Sequence, residues 1–189
     1  RLCSILVRDR RRRRRSGQLT AEALESRQLL TALQMTDNEQ LLIELINRAR
    51  MDPGGEAVRL DIDLNFGLVA GTLKPDPRAP LAPEQLLIDS SGAHAQDMLN
   101  RNYFSHYTAG SKNGPQERAS ALGYTGSVGE NLSWGGSTEE IDQLEQVYDR
   151  HLNLWRSSVH RRNMLDASWD EIGVGVRYGR YESGPTYNA

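Results

Sequence analysis

Four histidines and a few carboxylates carry most of the chemistry this chain could perform: His94, His106, His151 and His160. Their local spacings match no compact metal motif, since there is neither His-Glu-x-x-His nor Cys-x-x-Cys. The single cysteine, Cys3, stands before a run of arginines. His151 and His160 are nine residues apart, half a turn out of phase on a continuous helix, so they share a ligand only if the helix ends between them, near Trp155 to Ser158. His94 reads as a helix-surface or internally satisfied histidine, and His151 lies on an apolar stripe. His106 follows Tyr103-Phe104-Ser105 past a helix end and precedes a glycine-containing loop, where side chains tend to face clefts. His160 begins the run His160-Arg-Arg-Asn-Met-Leu165 at another expected helix end. Ser105 and Ser158 are near histidines in sequence, but without a Gly-x-Ser-x-Gly elbow nucleophilic catalysis has little support.

These residues need a scaffold. Thr36-Asp-Asn-Glu39 has the spacing of a capping box, followed by Leu41, Leu42, Leu45 and Ile46 at helical period, which predicts a helix over 37–51. Residues 52–82, rich in Pro, Gly and Asp, read as one long loop. Pro83 suits the first turn of a second helix running to about Asn102, and a short helical piece covers 116–122. A second capping box, Ser137-Thr-Glu-Glu140, predicts a third long helix over 138–157. The alternation of Ile172, Val174 and Val176 with Gly173 and Gly175 predicts a strand, and 128–134 is the other candidate. Long helices flanking a few strands, without a regular strand–helix repeat, give an α+β fold with an antiparallel sheet.

Charge divides the 189-residue chain. Residues 1–33 hold nine arginines against three acids, so the remainder carries 14 basic and 22 acidic side chains. An acidic body with only Lys74 and Lys112 is a poor phosphate-backbone binder, which argues against nucleic acid as a partner. Arg10–Arg15 reads as part of a basic, largely disordered N-terminal segment, 1–35, ahead of a domain over 36–189. Leu2 to Val7 precedes the arginines and is too short for a secretory core. The stretch from Leu24 to Ala32 resembles the N-terminal segment of bacterial exported surface proteins. No apolar run approaches the roughly 20 residues that span a bilayer.

Together, Tyr103-Phe-Ser-His106, Gly123-Tyr124, Gly129-Glu-Asn-Leu132, Trp155 with Ser158, His160-Arg-Arg-Asn-Met-Leu165 and Ile172-Gly-Val-Gly-Val176 resemble, in order and approximate spacing, the CAP superfamily of cysteine-rich secretory proteins, antigen 5 and pathogenesis-related 1 proteins, also called SCP-like. The resemblance runs from about residue 38 onward and implies a three-layer α-β-α sandwich with a central antiparallel sheet. It also implies a cleft formed by His106, Glu130 and His160. A glutamate of many animal members falls on Ser158, which removes one carboxylate from this cleft. A further strand would follow the turn signal Gly184-Pro185, so the domain is expected to lack its last strand and to be cut short at its C-terminus.

The chemistry of that trio is limited. His106 and His160 can hold zinc or another divalent cation, but two imidazoles bind it more weakly than the three protein ligands of catalytic zinc sites. Glu130 can orient an imidazole N–H, or raise a histidine pKa so that the cleft becomes cationic near neutral pH. The leading expectation is a secreted or surface-exposed bacterial binding module with a lipid-like or protein ligand. The alternative is a metal-dependent hydrolase using the same residues. Trp134, Trp155 and Trp169 are expected in the core or cleft wall, and Arg161 and Arg162 beside acids or loop carbonyls.

Overall fold

A computed structural model describes residues 2–9, 33–137 and 142–181. The fold is α+β, built as a sheet between two helical layers. Its elements are β1 (Leu2–Asp9), α1 (Asp37–Met51), α2 (Pro53–Arg59), β2 (Ala82–Pro83), α3 (Gln85–Asn100), α4 (Pro115–Ala121), β3 (Val128–Trp134), α5 (Gln143–Arg156), α6 (Ser158–Met164) and β4 (Trp169–Arg177).

The strand order is β2-β4-β1-β3, with β1 antiparallel to both β3 and β4, and the two-residue β2 parallel to β4. For Leu2–Asp9 this corrects the reading of 1–35 as a largely disordered segment, because these residues form an inner strand of the sheet. Both of its faces are buried: Cys3, Ile5 and Val7 join the core beneath α1, α5 and α6, while Leu2 and Leu6 pack against α3. A strand covered on both sides loses the polar alternation of a half-exposed one and reads as a short apolar run. Cys3 is accordingly a core side chain, and burial pushes its thiol pKa up, so it is an inert thiol. The arginine run, Leu24 to Ala32, the second capping box and the Gly184-Pro185 turn lie outside the described residues.

One helical layer approaches the sheet unusually closely. Gly173 and Gly175 pair with Leu6 and Ser4 and so share the face that meets α3. A Cβ on Gly173 would lie 2.1 Å from the Leu87 carbonyl carbon, and one on Gly175 would lie 2.4 Å from the Gly92 nitrogen. Helix backbone rests directly on strand backbone, which only glycine permits. The Ile172, Val174 and Val176 side chains point the other way, into the larger core with Leu42, Ile46, Leu154 and Trp155.

The first helix begins where expected. Its capping box is complete, and the Glu39 carboxylate also accepts from Val176 N (3.1 Å) and Arg177 (2.5 Å), tying α1 to β4. Three other boundaries need correction. Pro83 belongs to β2, and Glu84 caps α3 by accepting from Leu87 N. Residues 53–59 are helix rather than part of the expected long loop: Pro53 takes the first helical position and Asp52 accepts from Gly55 N (2.9 Å). The third long helix is two, because Ser157 is extended, ending α5 and capping α6 by accepting from His160 N.

The remaining loop is tied down by buried arginines that donate to its carbonyls and to carbonyls in and beside α5 and α6. Arg50 donates to Ala79 O, Met164 O and Asp166 O. Arg161 donates to the carbonyls of Leu64, Trp155 and Phe66, the loop-fastening role expected of it. The fully buried Glu56 joins three helices: it accepts from Arg48 (2.7 and 3.0 Å), from Arg59 and from His151 Nε2 (2.8 Å). His151 is thereby a core histidine, bonded through Nε2, on the apolar stripe that was expected to carry it.

Two predictions follow from this packing. Gly175→Ala forces a Cβ into helix backbone and should cost roughly 3 kcal/mol in chemical unfolding; Gly136→Ala, whose Cβ would meet only the Trp134 ring at 3.6 Å, should be nearly neutral. Equal stabilities for the two variants would contradict the close approach. For Glu56, burial alone would raise the pKa, but hydrogen bonds from His151 and Arg48 and their charges outweigh it and hold it down from 4.5 to about 2. The resulting stabilisation, on the order of 3 kcal/mol, is complete above the unfolded value and is lost as pH falls toward about 2. Glu56→Gln should therefore lower stability at neutral pH and make its decline below pH 4.5 shallower; an unchanged slope would contradict this assignment.

Candidate functional site

The site straddles the outer edge of β3, the last strand in the sheet order. Glu130 pairs with Leu6 across the ladder, so its side chain points to the α3 and α4 side. The neighbouring Asn131 points to the opposite side, toward α6. Alternation along one strand thus serves both sides of the candidate site.

The Glu130 side chain is only 1% exposed. Three groups compensate its burial. His106 Nδ1 lies 2.8 Å from Oε2, Arg118 donates to Oε1 at 2.5 Å, and the Ser4 hydroxyl donates to Oε1 at 2.9 Å. Burial would raise the Glu130 pKa, but the His106 hydrogen bond and the Arg118 charge outweigh it and hold the group below the ordinary carboxylate range. Since an ionised carboxylate can only accept, His106 Nδ1 carries the proton, and Nε2 is left as the ring's free nitrogen. The His106 side chain is 49% exposed, so that nitrogen faces solvent.

Arg118 does more than neutralise. It also donates to the His106 carbonyl (2.7 Å), so one guanidinium fixes the backbone of the histidine and the carboxylate that orients its ring. The donor fork of arginine suits this double task, which a lysine point charge would not perform in the same way.

His160 approaches from the other side on α6. Asn131 Nδ2 donates to His160 O (3.1 Å), Asn163 donates to Asn131 Oδ1 (2.9 Å), and the Trp169 indole donates to Asn163 Oδ1 (3.1 Å). This chain joins β3, α6 and β4. Gly129 makes it possible, since a Cβ there would lie 2.9 Å from Asn163 Oδ1. Burial, and then the nearby His106 charge, lower the His160 pKa. Both effects favour the neutral form of the His160 imidazole, and its ring makes no hydrogen bond among the described residues.

The expected residues divide clearly. His106 and Glu130 are in contact, and His160 lies within electrostatic reach of His106. Ser158 occupies the first position of α6 against Gly67, and no hydrogen bond joins it to Glu130 or His106. His94 Nε2 lies 2.9 Å from Ser105 O, the internal satisfaction expected for it, and this bond holds the segment leading to His106. Trp155 is in the core, Trp169 is half-buried, and Trp134 is 44% exposed against Tyr181. Ser4 and Arg118 were not foreseen. Ser4 is 126 residues from its partner, and no local pattern signals it; Arg118 lies on a recognisable helix, but its direction depends on the fold.

The description "Cysteine-rich secretory protein family", CAP, matches residues 43–187. The uncharacterized protein YkwD of Bacillus subtilis (strain 168) is 34% identical over 99 residues, which are 51% of this chain and 34% of YkwD. An extracellular protein containing a SCP domain from Bacillus anthracis str. Ames aligns over 86% of this chain and 42% of its own, with 20% identity and a TM-score of 0.47. The chain thus spans less than half the length of either relative. Among the described residues no helix is long and apolar enough to cross a membrane. With a family match extending from within α1 past β4, over more than half of the chain, the chain belongs to the CAP family of cysteine-rich secretory proteins.

Proposed function

We propose that this CAP domain is a binding module of the bacterial cell surface or exterior whose cleft takes a weakly held divalent cation, zinc or a similar ion, between His106 and His160. The observation that carries the reading is the pairing of His106 Nδ1 with a buried carboxylate (2.8 Å). Metal-bound histidines commonly use that arrangement, with the second nitrogen left to the ion. The donor set fits a weak site: two imidazoles suit zinc chemically, and neither free nitrogen must first surrender a protein hydrogen bond.

No group of three or more His, Cys, Asp or Glu able to hold an ion occurs among the described residues. Two protein ligands leave positions for water or for an oxygen or nitrogen of a ligand. A bound cation would supply an attachment point for such a group; Glu130 would orient His106, and Arg118 would keep Glu130 ionised. The exterior setting accords with the secretory description of the family. The ligand of the module, lipid-like or protein, would then be recognised partly through a polar headgroup or side chain at the cleft mouth.

Isothermal calorimetry with zinc tests the reading. The parent should bind one ion in the micromolar range or weaker, and His106→Ala and His160→Ala should each abolish the heat. Glu130→Gln should weaken binding by about 10- to 100-fold, the usual effect of losing such a supporting carboxylate. A parent without heat, or alanine variants that bind like the parent, would overturn it.

A further inference from the structure

We propose that Asn113–Gly114 is a self-modifying site: Asn113 converts to aspartate or isoaspartate through a cyclic imide, at a rate set by the hydrogen bond from Gly114 N to Glu117, and the carboxylate gained there pairs with Arg118. Asn113 is the chain's one asparagine followed by glycine. With no side chain on the next residue, the backbone nitrogen approaches the asparagine amide with the least hindrance. The proposal concerns the loop beside His106 and does not depend on metal binding.

The chemistry needs only water. Gly114 N gives up its proton and forms a bond to Asn113 Cγ. The bond from Cγ to the side-chain nitrogen breaks, and that nitrogen leaves with the proton as ammonia. Water then opens the imide at one of its two carbonyls. Opening at Cγ gives aspartate; opening at the backbone carbonyl leaves the chain running through Cγ, as isoaspartate, with the former peptide carbonyl as a free carboxylate. Nothing is oxidised or reduced.

The fold presents the electrophile and guards the nucleophile. Asn113 is exposed, and its hydrogen bonds among the described residues run through its backbone. Its N–H donates to Ser111 Oγ (3.1 Å), and its carbonyl accepts from Thr108 N (3.0 Å) and Arg118 Nη1 (3.3 Å). None of these bonds ties down the side-chain amide. Gly114, by contrast, is buried, with the Tyr107 ring 3.5 Å from where a Cβ would stand. Its N–H donates to Glu117 Oε2 at 2.9 Å. A nitrogen whose proton is held by a carboxylate loses that proton less readily, because the amide anion would face a like charge. Glu117 is itself exposed, so this latch opens without disturbing the core.

Arg118 gives the conversion a consequence. Its Nη1 also donates to the His106 carbonyl (2.7 Å), and its Nη2 holds Glu130 at 2.5 Å. Its Nε, closed to solvent, has no partner among the described residues, so the guanidinium has donor capacity to spare. In isoaspartate the oxygen that accepted from Nη1 belongs to a carboxylate, and a neutral acceptor becomes a charged one. That carboxylate competes with Glu130 for the guanidinium that also fixes the His106 backbone. The loop from Tyr107 to Gly114 thereby couples a slow covalent change to the histidine.

Peptide mass spectrometry during incubation of the folded chain at mildly alkaline pH tests the site. Conversion at Asn113 should be slower in the parent than in a free peptide spanning residues 111–116. Glu117→Ala should convert roughly five- to tenfold faster than the parent, the factor given by loss of a capping interaction of ordinary strength. Glu117→Gln, which keeps an acceptor without the charge, should fall between them. In the parent, low urea should raise the conversion rate and the exchange rate of the Gly114 amide proton together, a measurement that needs no variant. Converted protein, separated by ion exchange, should show a shifted Arg118 Nε–H resonance. A folded parent that converts as fast as the peptide, a Glu117→Ala variant that converts at the parent's rate, or converted protein with an unmoved Arg118 resonance would overturn the proposal. Zinc calorimetry reads none of these quantities, so its failure and this one are distinguishable.

Discussion

A carboxylate removed from water must find charge and hydrogen bonds or be neutralised, and this constraint, acting on Glu130, organises the cleft. Its three donors come from three places: the inner strand β1, the loop after α3, and the helix α4. Ser4 can reach the carboxylate only when β1 is seated between β3 and β4, and Arg118 only when α4 is docked on β3. The site is consequently a product of the completed fold. Its rigidity comes from shared partners: one guanidinium grips both the carboxylate and the His106 backbone.

The second determinant is steric. Glycines at 173 and 175 let the α3 backbone lie on the sheet, and α3 carries His94, which holds Ser105 and hence the segment ending at His106. A sequence feature that reads as strand alternation therefore also fixes one wall of the cleft. On the other face, valine and isoleucine side chains of the same strand meet α1 and α5, while the asparagine chain through Asn131 and Asn163 fixes α6 and His160. The two faces of the sheet thus position His106 and His160 from opposite sides of one edge strand, within electrostatic reach of each other.

Much of this was legible before coordinates. The capping box at Thr36, the strand at 128–134 and the period of two around Val174 are local patterns, and local patterns survive in sequence. His106 and Glu130 were recoverable because neighbouring motifs flag them together. What escaped was non-local or masked by composition. β1 is apolar on both faces and stands before an arginine run, so its strand character was overridden by charge. α2 was hidden by Pro53-Gly-Gly55, residues that suggest a turn until Asp52 is seen capping them. The break at Ser157, which separates His151 from His160, was visible only as a geometric requirement: one helix could not serve both.

The histidine ring nitrogens give the most direct test of the central claim, that Glu130 accepts a hydrogen bond from the Nδ1–H of His106 and turns Nε2 outward. Long-range ¹H–¹⁵N correlation spectra of the imidazole rings, recorded at mildly alkaline pH without metal, report which nitrogen carries the proton. The account predicts an Nδ1–H tautomer for His106 that is lost in Glu130→Gln. An Nε2–H tautomer, or the mixed signature of a free histidine in the parent protein, would contradict it.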